Sequence, residues 1–176
     1  MDLTENDLRA AIKALADVVA PAVDPTDALA NEQLRLVTEY LRFLRQRVEL
    51  LHRRDRTELR HQLDMANALL ALDAPCSPGL RQSLQTSTEA GARLFDAAAA
   101  TGQQLKAATA AIAAAVRECV RECAAWPAPA RDRWERCVLD MSAARVAFEQ
   151  AWYLPLGFEP APAEVPSLES VLARPA

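Results

Sequence analysis

Glycine and aromatic residues are scarce in this chain. Its 176 residues include four glycines and 5% aromatic side chains, whereas 51% of the residues are apolar and alanine and leucine dominate. Turns that need positive φ are therefore rare, and the abundant residues have high helix propensity. The chain is long enough for one domain with a substantial core and too short for two comfortable ones. This composition predicts an all-α domain.

Further absences argue against whole functional classes. A net charge of -4 and a pI near 5.3 give no basic surface for general nucleic-acid binding. The longest uncharged helical stretch, Ala107–Val116, is far shorter than the roughly 20 residues of a membrane span. The acidic start Met1–Asp7 lacks the apolar core of a secretory signal. We therefore expect a cytoplasmic protein whose four cysteines are reduced thiols, with neither nucleic-acid nor membrane binding.

Apolar residues recur at helical steps of three and four along most of the sequence. From Pro25 to Leu72 they stay in phase, which predicts one long helix capped by Asp24. A second stripe from Leu80 to Cys123 predicts an equally long helix, and the Pro- and Gly-containing segment between them predicts a tight turn. A short helix from Thr4 and a fourth helix from about Ala130 flank this pair.

The helix lengths suggest an arrangement. At 1.5 Å per residue the two long helices reach about 70 Å, and the flanking helices about 25 and 35 Å. The flanking helices then cover one end of the hairpin, forming a four-helix bundle there. We predict an all-α antiparallel helical bundle built on a long two-helix hairpin in residues 1–153, followed by a Pro-rich extended tail in residues 154–176. A last helical turn at Ser167–Ala173 is expected within this tail. The alternative is that the long helices break near Arg53–Arg56 and near Gly102, giving a compact monomer of five or six shorter helices.

The uncovered end of such a hairpin would expose an apolar seam. Large exposed apolar surfaces usually mark a partner site, so we predict a homodimer through this seam. The Pro-rich tail is a second candidate surface for a protein partner. The predicted interface leucines are Leu59, Leu63, Leu70, Leu80, Leu84 and Leu94.

A polar pair interrupts the predicted core face. His52 and Asp55 lie on the apolar side of the long helix, and antiparallel pairing places them opposite the small residues Ala98, Thr101 and Gly102. Buried ionisable groups need a partner or water, so these five residues form a candidate ligand-binding niche. The alternatives are a helix break that leaves both residues in solvent, or a buried His-Asp pair that fixes the helix register.

Candidate metal ligands are few. The Glu49-x-x-His52 and Glu58-x-x-His61 spacing is similar to that in diiron carboxylate bundles, but nine residues turn the two units to opposite faces about 13 Å apart. Cys119 and Cys123, one turn apart, have the spacing to bind Zn or Cu(I), yet apolar neighbours favour core packing. We expect no cofactor.

One arginine-rich stretch completes the candidate features. Interleaved acidic residues favour an ion-paired surface there, with an acidic or phosphate-bearing ligand as the alternative. With two histidines and no recognisable nucleophile, we expect a non-enzymatic interaction or assembly module. The alternative function is a small-molecule or metal-binding bundle with its niche near His52 and Asp55. The basic residues of this stretch are Arg42, Arg45, Arg47, Arg53, Arg54, Arg56 and Arg60.

Overall fold

The computed structural model describes residues 4–173, and every regular element in this range is helical. The all-α prediction is confirmed. A π-helical turn spans Leu15–Val19, and 3-10 turns span Val48–Leu50, Leu154–Leu156 and Pro162–Glu164. The α-helices are α1 (Thr4–Ala14), α2 (Ala20–Ala22), α3 (Ala28–Arg47), α4 (Leu51–Leu70), α5 (Pro78–Asp96), α6 (Gly102–Cys123), α7 (Ala128–Tyr153) and α8 (Leu168–Leu172).

The helices group into two compact units. The first unit contains residues 4–51 and 153–162, and the second contains residues 52–152 and 163–173. The predicted division between a bundle and a tail at residue 153 stays a prediction. In the first unit α1 packs along α3, as predicted for the first helix.

The start of α3 differs from the prediction. Asp24 does not cap the helix, because its carboxylate accepts hydrogen bonds from the backbone and side chain of Thr26 in a tight turn. Asp27 is the N-cap instead, and its side chain accepts a 2.9 Å hydrogen bond from the backbone N–H of Ala30. This cap satisfies one of the free N–H groups in the first helical turn.

The stretch predicted as one long helix from Pro25 to Leu72 contains a change of helix type. A 3-10 turn at Val48–Leu50 separates α3 from α4, and α4 begins immediately after it. A 3-10 turn has three residues per turn, so it rotates the following residues relative to a continuous α-helix. The alternative break at Arg53–Arg56 does not occur, because those residues lie within α4.

The prediction of a single helix from Leu80 to Cys123 is wrong. Helix α5 ends at Asp96, and Ala97 is extended, with ψ 113°. Helix α6 then starts anew with a reciprocal capping box: the N–H of Gln104 donates to Oγ1 of Thr101, and the N–H of Thr101 donates to Oε1 of Gln104. The break near Gly102, given above as an alternative, is therefore present.

Helix α6 folds back along α5. A methyl group added to Gly91 would lie 2.8 Å from Cδ1 of Ile112 and 3.3 Å from Cδ2 of Leu63. At the other end of the pair, the backbone N–H of Ser77, just before α5, donates a 2.8 Å hydrogen bond to Glu122 near the end of α6, so the two helices are antiparallel. The missing side chain of Gly91 thus lets the two helices approach closely.

The core of the second unit lies among α4, α5, α6 and α7. The bundle expected from the first helix, the adjoining halves of the long helices and the fourth helix is therefore wrong. Its composition changes because α6 returns along α5 instead of extending beyond it. Residues with at most 1% exposure in this core include Leu59, Leu69, Leu84, Leu105, Ile112, Cys119 and Trp134.

The prediction of an uncovered leucine seam is also wrong. Leu59, Leu63 and Leu84 are 0%, 7% and 1% exposed, because the folded-back α6 covers the face they share. The remaining predicted interface residues are partly buried against the same core, namely Leu70, Leu80 and Leu94. These leucines hold the second unit together, so the basis for a dimer through them is lost.

The C-terminal segment contains more structure than an extended tail. The predicted last turn at Ser167–Ala173 is confirmed by α8, where the Ser167 side chain caps the helix. Val171 and Leu172 of this helix are buried. Across residues 4–173, no helix combines the length and apolar character that crossing a membrane requires.

We expect Gly91→Ala to destabilise the chain by about 1 kcal/mol, because overpacking against Ile112 outweighs the better helix propensity of alanine. In an Ile112→Val background, which removes the Cδ1 atom, the same change should be neutral or stabilising. Urea unfolding of the four variants in this cycle measures the coupling. Gly79→Ala is the control, since nothing lies within 4 Å of its added methyl group. If the effects of Gly91→Ala and Ile112→Val on the free energy of unfolding simply add, the close contact between the two helices is contradicted.

Candidate functional site

Asp55 is a buried carboxylate beside the start of α6. Its side chain is 6% exposed, and a methyl group on Gly102 would lie 2.6 Å from its Oδ2 atom. The structure thus brings together two members of the predicted niche. The Nζ atom of the exposed Lys106 lies 3.7 Å from the same oxygen. Small size at Gly102 leaves the space that the carboxylate occupies.

Two features of the surroundings of Asp55 shift the pKa of its carboxyl group in opposite directions. Burial raises the pKa of Asp55 above its ordinary value of 3.8, while the positive charge of Lys106 lowers it, and burial is the larger effect. The charged carboxylate is therefore less favourable in the folded chain than in the unfolded chain. A negative charge near the N-terminus of a helix is favourable, which compensates in part.

The other predicted niche residues do not join this pair. His52, Ala98 and Thr101 are all exposed. His52 shares the helical face of Asp55, but it is the second residue of α4, three residues before Asp55, and its side chain is exposed. Thr101 is used as the N-cap of α6. The prediction of one niche that contains both His52 and Asp55 is therefore wrong. The contact between Asp55 and Gly102 is the part of it that the structure contains.

The candidate metal ligands lie in separate environments. Glu49 is exposed, Glu58 forms a 2.7 Å ion pair with Arg54, and the ring of His61 packs edge-on against Phe148 at 5.8 Å. Within residues 4–173, no group of three or more His, Cys, Asp or Glu side chains has the geometry to hold a metal ion. The Glu-x-x-His spacing here belongs to a helix surface with ion pairs and aromatic packing.

The two cysteines of α6 are buried in the core. The Sγ atoms of Cys119 and Cys76 lie 3.9 Å apart, and Sγ of Cys123 donates to the carbonyl of Val120 at 3.1 Å. Burial, followed by the neighbouring Cys76, raises the pKa of Cys119 to about 12. Soft metals bind the thiolate form, so this environment favours the packed thiol that the sequence indicated.

The structure shows an exposed apolar surface on α3 that was not predicted from the sequence. The described part of the chain has twelve exposed large apolar side chains, and nine belong to the first unit. Four of them cluster on one side of α3, here called the α3 face: Leu29, Leu36, Val37 and Tyr40. The signal in the sequence was a second apolar stripe in steps of seven and four, beside the stripe of Leu34 and Leu41.

The α3 face adjoins a row of aromatic rings. The ring centroids of Tyr40 and Phe43 lie 6.0 Å apart, and the Phe43 ring stacks on the Tyr153 ring at a centroid distance of 5.8 Å. Phe43 is buried, whereas both tyrosines keep a large exposed fraction. The apolar surface therefore runs from a covered position at Phe43 to an uncovered one at Tyr40.

Comparison of the chain with protein-family models, with curated protein sequences and with solved structures finds no match. The side chains described above are therefore the basis for a functional proposal.

We expect Asp55→Asn to raise the free energy of unfolding at pH 7 by about 1 kcal/mol. Because the pKa of Asp55 is raised on folding, its charged form lowers stability above pH 3.8, and the penalty disappears at lower pH. The gain should therefore vanish near pH 3. Guanidinium unfolding at both pH values is the measurement, with the exposed Asp140→Asn as control. A loss of stability at pH 7 would show that the charge of Asp55 stabilises the fold.

Alkylation should report the protected thiols. With the pKa of Cys119 raised to about 12 and those of Cys76, Cys123 and Cys137 also raised, the folded chain has little thiolate at pH 8. We expect iodoacetamide to modify Cys119 at least tenfold more slowly in the folded chain than in guanidinium. Peptide mass spectrometry measures both rates. Equal rates at pH 8 would contradict the buried, protonated thiol.

Proposed function

We propose that this chain is a non-enzymatic interaction module that self-associates through the α3 face. The single observation that carries the proposal is the exposure of Leu29, Leu36, Val37 and Tyr40 together on one helix. Contiguous apolar surface that is accessible to water commonly marks a protein interface. The site of association therefore moves from the leucines of α4 and α5 to a helix of the first unit.

The small core of the first unit supports the proposal. Among its described residues only Ile12 and Phe43 are buried apolar side chains, against nine large exposed ones. Helices gain most of their stability from burying an apolar face, so the first unit has more apolar surface than it covers by itself. A partner on the α3 face would supply the missing burial.

The geometry of α3 favours a second copy of the chain as that partner. The four exposed apolar side chains follow one side of the helix for about three turns, from Leu29 to Tyr40. Two α3 helices that pair in antiparallel orientation present this same face to each other. A two-fold dimer has this self-complementary geometry, and antiparallel helix dipoles add a favourable term.

The Pro-rich segment is the second candidate for a protein contact. Phe158 is largely exposed and is followed by Pro160 and Pro162. A single aromatic side chain offers less apolar surface than the four side chains of α3. We therefore place self-association at α3 and keep the segment after residue 153 as a candidate for a different partner.

Leu29→Glu and Leu36→Glu should each convert a dimer into a monomer, because a carboxylate within an apolar contact is costly to desolvate. Light scattering after size exclusion measures the mass against the 19.2 kDa of one chain. The matched control is Leu139→Glu on α7, since Leu29 and Leu139 are 72% and 71% exposed.

Circular dichroism verifies that helicity is kept in all three variants. We expect about a doubled mass for the wild type and the control, and the single-chain mass for both α3 variants, at concentrations near 100 μM. A wild-type chain that is monomeric at this concentration, or a control that dissociates equally, would overturn the proposal.

A further inference from the structure

A polar groove lies on the second unit between α4, α6 and α7. Its volume is about 350 Å³, and its wall on α6 includes the small side chains Ala110 and Ala113. Its charged lining consists of four cationic side chains and two carboxylates, namely Arg54, Lys106, Arg117, Arg145, Glu58 and Glu149. The formal charge of the lining is therefore +2, on a chain whose net charge is -4.

Most of these charges are neutralised within the chain. Arg54 pairs with Glu58 at 2.7 Å, and Arg145 pairs with Glu149 at 3.0 Å. Lys106 faces the buried Asp55 at 3.7 Å. These pairs follow the i,i+4 spacing of a helix surface or join neighbouring helices, and they shape the rim of the groove.

Arg117 differs from the other cations of the groove. It forms neither an ion pair nor a hydrogen bond with any residue in the range 4–173. The next arginine along α6, Arg121, pairs with Glu118 and is not part of the groove lining. A guanidinium without a carboxylate, beside small alanine side chains, leaves both charge and space for an anion.

Gln62 supplies an independent observation. It is 5% exposed, it lines the groove, and its amide makes no hydrogen bond to any side chain or backbone group among the described residues. Among the described residues, Gln62 is not one of the side chains with an inaccessible, unbonded polar atom, so its amide reaches the solvent of the groove while the rest of the side chain is buried. A glutamine amide in this position can donate to a carboxylate or phosphate oxygen.

We propose that this groove binds a small anion carrying a carboxylate or phosphate group, held by the guanidinium of Arg117 and the amide of Gln62. The volume is near the lower end for small-molecule sites, so the ligand is a metabolite-sized molecule and not a peptide. The site is separate from the α3 face, and its test does not depend on self-association.

Calorimetric titration of the full chain at low ionic strength tests the proposal. The probes are succinate, glycerol 3-phosphate and inorganic phosphate, with succinamide and glycerol as uncharged counterparts. We expect saturable binding of at least one anion and none of the neutral molecules. The preferred probe distinguishes a carboxylate ligand from a phosphate ester or free phosphate.

Variants locate the binding. Arg117→Gln and Gln62→Leu should each weaken the affinity by about tenfold or more, the loss that goes with one charged hydrogen bond. Arg121→Gln is the matched control, one turn along α6 and outside the groove, and should keep the affinity within about twofold. Gln62→Leu preserves the approximate side-chain volume, and its thermal unfolding confirms that the variant is folded.

Two results would overturn the proposal. The first is the absence of saturable binding of all three anions below about 10 mM, the weak end of specific affinity. The second is equal weakening by Arg117→Gln and Arg121→Gln, which would indicate general attraction to surface charge. Leu29→Glu should leave the affinity unchanged, so failure here and failure of self-association are distinguishable.

Discussion

The close approach of Gly91 to Ile112 is the contact on which the second unit depends. It occurs because the chain turns at residues 97–101 and brings α6 back along α5. Burial of an apolar side chain contributes about 1.5–3 kcal/mol to stability. Because the returning helix covers several leucines, such as Leu59 and Leu84, their combined burial stabilises this turn by several times that amount. The same turn places the start of α6 beside Asp55, and the groove then lies between α6, α4 and α7.

The sequence predicted the helices of this fold more accurately than their breaks. Apolar periodicity gave the all-α class, the flanking helices and the final turn, because these depend on local patterns. It gave the break near Gly102 only as an alternative, because both arms of an antiparallel hairpin face the same core and keep a similar phase. The visible signal was Thr101-x-x-Gln104, a capping-box pattern inside an otherwise continuous stripe. Gly102, immediately after the cap, strengthened it.

The part of the candidate site that depends on a buried charge could be predicted from the sequence. The parts that depend on where neighbouring helices end in the folded chain could not. Asp55 lay on the apolar face, so its need for nearby space pointed correctly to Gly102. His52 occupies the same face one turn earlier, and no sequence pattern states where the neighbouring helices stop. Gln62 and Arg117 were missed for a related reason: they lie on different helices, and no sequence pattern shows that both line one groove.

The two units differ in how much of their apolar surface they bury, and this difference connects the fold to the two proposals. The second unit buries most of its large apolar side chains among four helices, and its groove has a mainly charged lining suited to a charged ligand. The first unit has two principal helices and little core, so much of the apolar surface of α3 is uncovered. A two-helix layer has only one internal face, so it can cover apolar residues on one side of α3 and leaves those on the other side accessible, which is the basis of the proposed self-association.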